Sequence, residues 1–160
     1  MTRAWALFAL FAVGCGSKGA VAIVAAVENA HASIDSTSPL ASLLKGGFTL
    51  HAELGQVAPS GTDVSIQGAM TLVKPSDQAN LAVLKLSAMP SPPYHLEPGA
   101  KVDATFTITD GTMDGQLLLP ADLTAICQAG SVQIAGTLAD SASGKPTPVS
   151  SASFAVTGCP

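Results

Sequence analysis

Two short patterns in this chain place metal-ligating side chains two residues apart: His51-Ala52-Glu53 and His95-Leu96-Glu97. In an extended segment, positions i and i+2 point to the same side. Each pair therefore offers an imidazole nitrogen and a carboxylate in one direction. If the two segments met, His51, Glu53, His95 and Glu97 would supply the ligand set of a zinc site, the chemistry of a small metal-dependent hydrolase. A solvated polar strand face explains the same four residues. Asp110, Thr112 and Asp114 alternate as in a calcium loop, but no Glu stands at the twelfth position, and a glycine-containing turn accounts for the segment. Neither G-x-S-x-G nor G-x-x-x-x-G-K-[ST] occurs, so neither a nucleophile elbow nor a phosphate-binding loop is encoded. No cofactor is expected.

Tyr94 lies in the run Ser91-Pro92-Pro93-Tyr94-His95. It is the one aromatic expected at the surface, where Tyr94 and His95 would be the contact residues of a binding loop spanning 90–99. Covering the core from a loop is the other reading of Tyr94. Beyond the first 14 residues the aromatics are Phe48, Tyr94, Phe106 and Phe154. The phenylalanines fall on apolar faces, which leaves few rings for a sugar platform.

The remaining chemistry belongs to the amino terminus. Arg3 is followed by the apolar run Trp5–Val13, too short to span a bilayer, and then by Ala12-Val13-Gly14-Cys15. This stretch resembles the lipobox signal of bacterial lipoproteins, with Ala12 where the family usually carries Leu. The resemblance covers only residues 1–14 and Cys15. It implies cleavage before Cys15, diacylglyceryl transfer to its thiol, and a protein held at the cell envelope by its acyl chains, since two or three chains anchor stably where one does not. Gly16 after the cysteine, in place of Asp, implies the outer membrane more than the inner. A rival processing site exists at Ala30-His31-Ala32, an A-x-A pattern. Cutting there would release a periplasmic or secreted protein starting at Ser33, a soluble ligand- or carbohydrate-binding module.

Either route delivers the chain to an oxidising compartment with Cys127 and Cys159 remaining. The expectation is a disulfide between them. A thiol nucleophile or metal pair would want C-x-x-C spacing, which is lacking.

These residues need a scaffold. The chain of 160 residues suits one domain, with 11% charged and 48% hydrophobic residues and a net charge of −4. Its basic residues, Arg3, Lys18, Lys45, Lys74, Lys85, Lys101 and Lys145, are scattered singly, so no nucleic-acid footprint is present. The expected partners are the membrane, through the lipid anchor, and an envelope protein. Ala20–Ala32 is alanine-rich and apolar nearly all round, which predicts a helix, followed by a linker over Ser33–Pro39. The layout is thus a signal peptide over 1–14, an anchored segment with helix and linker over 15–45, and a β domain over 46–160. From Gly46 onward the apolar pattern has period two, in segments 48–54, 64–72, 81–89, 102–109, 116–119, 131–138 and 151–157. Turns such as Pro59-Ser60-Gly61 and Glu97-Pro98-Gly99 separate them. Pro120–Gln128 reads as a short helix carrying Cys127. Seven strands and no recurring helical pattern predict an all-β, antiparallel β-sandwich, Ig-like or similar. Nothing catalytic is compelled by the residues, and the expected role is non-enzymatic, in binding or structure.

Overall fold

The computed structural model describes residues 23–38, 41–111 and 113–160. Cys15 and the signal segment lie outside the described residues. The chain forms an all-β sandwich of two antiparallel sheets with one short helix.

Sheet one contains β1 (Ile23–Ser38), β2 (Ala41–Leu54), β8 (Lys101–Ile108) and β6 (Leu86–Met89), in that order, with β9 (Gln116–Leu117) also paired to β2. Sheet two runs β5 (Asn80–Val83), β4 (Thr71–Val73), β10 (Gln133–Asp140), β3 (Thr62–Ile66), β7 (Tyr94–Leu96), with β11 (Pro146–Ser150) on β10. The helix, α1, spans Pro120–Ala129. Among the described residues there are eleven strands where seven were expected.

Alternation builds the core. Leu50, Ala52 and Leu54 of β2 and Ala104, Phe106 and Ile108 of β8 point inward, and their polar neighbours point out. Phe48 and Phe106 stand opposite each other across β2 and β8 and stack, with centroids 4.8 Å apart and planes 3° from parallel.

The expected helix over 20–32 is corrected from Ile23 onward: that part belongs to β1, which pairs with β2 from Ile23↔Leu54 to Ser38↔Ala41. The expected linker over 33–39 is strand as far as Ser38, and the sandwich includes residues 23–38 and 41–45 as well as the 46–160 expected. Alanine's helix preference is a few tenths of a kcal/mol per residue, and a long ladder with a buried face outweighs it. A bulge hid the strand from its periodicity. Asn29 takes φ 54°, and the register shifts between Glu28 and His31. Val27 before the bulge and Ala32 and Ile34 after it consequently all reach the core, although their parity differs. Gly46 sits opposite, at φ 145°, where a Cβ would come 2.2 Å from the His31 carbonyl oxygen. Only glycine allows that approach.

Both sides of the sandwich are closed by chain that serves two sheets. The apolar run 81–89, expected as one buried strand, changes sheet midway. The Leu84 amide donates to Met70 of sheet two, whereas the Lys85 carbonyl accepts from Thr109, beside sheet one. The chain then returns through Pro90–Pro93 to β7. On the other side the carboxyl-terminal segment is a strap with isolated bridges rather than a regular strand: Val27↔Ser151, Val132↔Phe154 and Ser33↔Thr157. Gly158 lies so close to β1 that a Cβ there would be 2.2 Å from the Ile34 carbonyl oxygen. The expected disulfide is formed, Cys127 to Cys159 with Cα atoms 5.6 Å apart, and ties the strap to α1.

Truncating Phe106 to Ala should cost about 3–5 kcal/mol of unfolding free energy in a urea titration, against about 0.5 kcal/mol or less for its outward neighbour Thr105→Ala. Cys159→Ser should cost about 3–4 kcal/mol on the loop-entropy account, and amide exchange should rise first over 151–160, where the strap loses its tie.

Candidate functional site

The two H-x-E pairs are not brought together. His51 and Glu53 project from β2 on the outer face of sheet one, and His95 projects from β7 on the outer face of sheet two. Each histidine is engaged by an aspartate on the adjacent strand. His51 Nδ1 lies 2.6 Å from Asp103 Oδ1, its register partner on β8, and Lys101 lies 3.7 Å from Glu53 two register positions along, on the same face. Opposite charges facing across a ladder support the pairing of the strands.

His95 sits between two carboxylates. Its protonated ring donates from Nδ1 to Asp63 Oδ1 at 2.8 Å and from Nε2 to Glu97 Oε1 at 3.1 Å. Asp63 is its register partner on β3. The bond to Asp63, then that to Glu97, hold the His95 pKa above its ordinary value. All three side chains are largely exposed, so solvent screens the effect. Among the described residues no group of three or more His, Cys, Asp or Glu is placed to hold a metal ion. The zinc site envisaged on His51, Glu53, His95 and Glu97 is therefore not assembled: the sandwich itself separates its halves.

Tyr94 is buried, not exposed. Its hydroxyl donates to the Pro90 carbonyl at 3.1 Å, and burial raises its pKa. Leu96 is buried as well, so the β7 part of the segment presents His95 outward, keeps Tyr94 and Leu96 in the core, and leaves Glu97 and the flanking prolines exposed. Phe48 and Phe106 are core residues and Phe154 is half-buried, so no described aromatic ring is exposed. In the calcium-like segment, Asp110 accepts from the Met113 amide at 2.9 Å and Asp114 pairs with Lys45 at 3.7 Å. Its carboxylates serve a turn.

A further concavity lies in a region that none of the sequence motifs marks. A groove of about 610 Å³ runs between β5, at the edge of sheet two, and β9, with α1 beside it. Its apolar lining includes Leu81, Val83, Leu117 and Leu119, with Lys85 and Asp122 at its margins. Val83, Leu117 and Leu119 are 52%, 48% and 64% exposed, which is unusual for side chains of this kind gathered in one place. The signal was legible: Leu117-Leu118-Leu119 is a run of three leucines in an extended stretch. Alternation buries either the middle leucine or the outer two but not all three, and here Leu118 is the buried member.

Gln116 shapes this groove. Its carboxamide donates to the Val83 carbonyl at 2.7 Å and accepts from the Lys85 amide at 2.7 Å. The side chain thereby fastens β9 to the point where the chain changes sheet.

No protein-family model, curated protein or solved structure matches this chain.

Because protonated His95 is favoured in the folded state, its contribution to stability is present below the unfolded-state pKa of about 6.5 and is lost as pH rises through the higher folded value. An NMR titration should place the His95 midpoint above that of a model imidazole, and Asp63→Asn should lower it. An unchanged midpoint in Asp63→Asn would refute the assignment of the shift to this bond.

Proposed function

We propose that this protein is an exported, lipid-anchored component of the bacterial cell envelope, with residues 1–14 as the signal peptide, Cys15 as the acylated residue and the β-sandwich as a non-enzymatic binding or structural module. The observation that supports this reading over release by cleavage after Ala32 is the course of β1. Ala32 is 4% exposed and sits mid-strand opposite Gly46. A cut there would remove Ile23–Ala32, take Val27 and Ala32 out of the core and leave the 46–54 segment of β2 unpaired along one side. Unpaired edges invite association between chains. A cut before Cys15 leaves β1 whole.

Seven residues, Gly16–Ala22, would then separate the acylated cysteine from Ile23, a span of at most about 29 Å for any chain of that length. The outer membrane is the proposed destination. The absence of an exposed aromatic ring among the described residues argues against the secreted carbohydrate-binding alternative.

The test is the intact mass and amino-terminal peptide of the protein recovered from a membrane fraction. The expected product begins at Cys15 with added diacylglycerol and acyl mass, and Cys15→Ala moves the protein out of that fraction. A product beginning at Ser33 without lipid would overturn the anchor.

A further inference from the structure

The groove between β5 and β9 combines three features that together describe an occupant. Its walls are apolar side chains left substantially in water. Lys85 and Asp122 stand at its margins, and neither has an ion-pair partner among the described residues. Asp122 lies in the first turn of α1, where the helix dipole favours a carboxylate without neutralising it. The third feature is backbone. Among the described residues β5 pairs with β4 alone, so its other side is a short sheet edge. Gln116 occupies the end of that edge: its carboxamide donates to Val83 and accepts from Lys85, so those two backbone groups are taken and an added chain has only the Asn80–Val83 stretch up to Gln116 to lie along.

The groove also points in a usable direction. Ile23, where the tether enters, pairs with Leu54 at one end of β2, whereas Gln116 pairs with Leu44. Ten residues of strand separate these positions, roughly 33 Å. The groove is therefore carried at the far end of the sandwich from Ile23.

We propose that this groove docks an extended segment of a partner protein, which places a bulky apolar side chain against Val83, Leu117 and Leu119, an acidic residue opposite Lys85 and a basic residue opposite Asp122. The proposal rests on the reading of the domain as a membrane-tethered binding module. Alternation dictates the form of the segment: acid, apolar residue and base must fall on every second position to share one face. Recognition of this type takes affinity from main-chain bonds and specificity from the side-chain pockets.

The experiment uses the protein as recovered from cells, isotope-labelled and held in nanodiscs when acylated. Two end-capped peptides are titrated, Thr-Glu-Thr-Leu-Thr-Lys-Thr and its charge-reversed counterpart Thr-Lys-Thr-Leu-Thr-Glu-Thr. Saturable amide shifts should be confined to 80–85 and 116–122. Replacing the peptide's Leu by Ala should weaken binding about tenfold or more. Leu119→Lys should abolish binding while leaving amide shifts elsewhere unchanged, as expected for an exposed position, and Lys85→Glu should weaken the preferred peptide. No saturable shift at those amides with either peptide at millimolar concentration would overturn the proposal. So would undiminished binding in Leu119→Lys, or shifts at the same amides produced by phosphatidylethanolamine–phosphatidylglycerol vesicles in place of peptide. The mass of the same sample separates the two readings. An acylated protein that binds neither peptide overturns the groove and leaves the anchor; an unacylated protein that binds overturns the anchor and leaves the groove.

Discussion

The ladder between β1 and β2 runs the length of sheet one, and the other contacts are arranged around it. It carries Val27, Ala32 and Ile34 into the core from a strand whose periodicity is broken by a bulge. It also provides the seat for the carboxyl-terminal strap: Ile34 donates to the Thr157 carbonyl, and Thr157 donates back to Ala32. The Cys127–Cys159 bond then fixes the strap to α1. Edge, strap, disulfide and helix form a chain of dependence, in which β1 supplies the surface on which the carboxyl-terminal segment is ordered. This is why the cleavage site matters structurally. Signal peptidase acting at Ala32 would dismantle a supporting strand, whereas processing at Cys15 would not touch the sandwich.

A two-layer sandwich has two open sides, and each exposes sheet edges to other chains. This protein covers one with the strap and the other with the segment 80–96, which belongs in turn to sheet two, sheet one and sheet two again. Where a strand leaves one sheet for another, its backbone groups lose their ladder partners, and burying them unpaired would cost on the order of 1–3 kcal/mol each. Gln116 meets that need with a single buried amide. The same crossing turns Lys85 outward, although it sits in the middle of an apolar run.

The fold class was legible because β2 and β8 alternate cleanly and Gly/Pro turns punctuate the chain. The disulfide was legible from compartment and parity of cysteines. What escaped was whatever depends on register or on irregularity. β1 was concealed by its alanines and by Asn29. The sheet change at Leu84–Lys85 leaves no compositional trace, since both halves of the run are apolar. The partners of the histidines, Asp103 and Asp63, are set by strand pairing 52 and 32 residues away, a relation that no local spacing encodes. Tyr94 was placed outside because it follows two prolines, yet period two puts Tyr94 and Leu96 inside and His95 out.

The histidine pairs and the groove differ in how completely their groups are used. His51 faces Asp103 beside the Glu53–Lys101 pair, and His95 is spanned by two carboxylates, so the donors there are committed to holding neighbouring strands. Around the groove Gln116 is committed to the backbone of Val83 and Lys85, whereas the Lys85 and Asp122 side chains have no ion-pair partner among the described residues. Burying Leu117 and Leu119 against the core would demand that three successive leucines point the same way, which an extended backbone forbids. Their exposure is thus a consequence of the local chain path, and water against them is a standing cost that a partner's apolar side chain would relieve, at about 25 cal/mol per Å² of surface covered. That surface is carried at the end of the sandwich remote from Ile23.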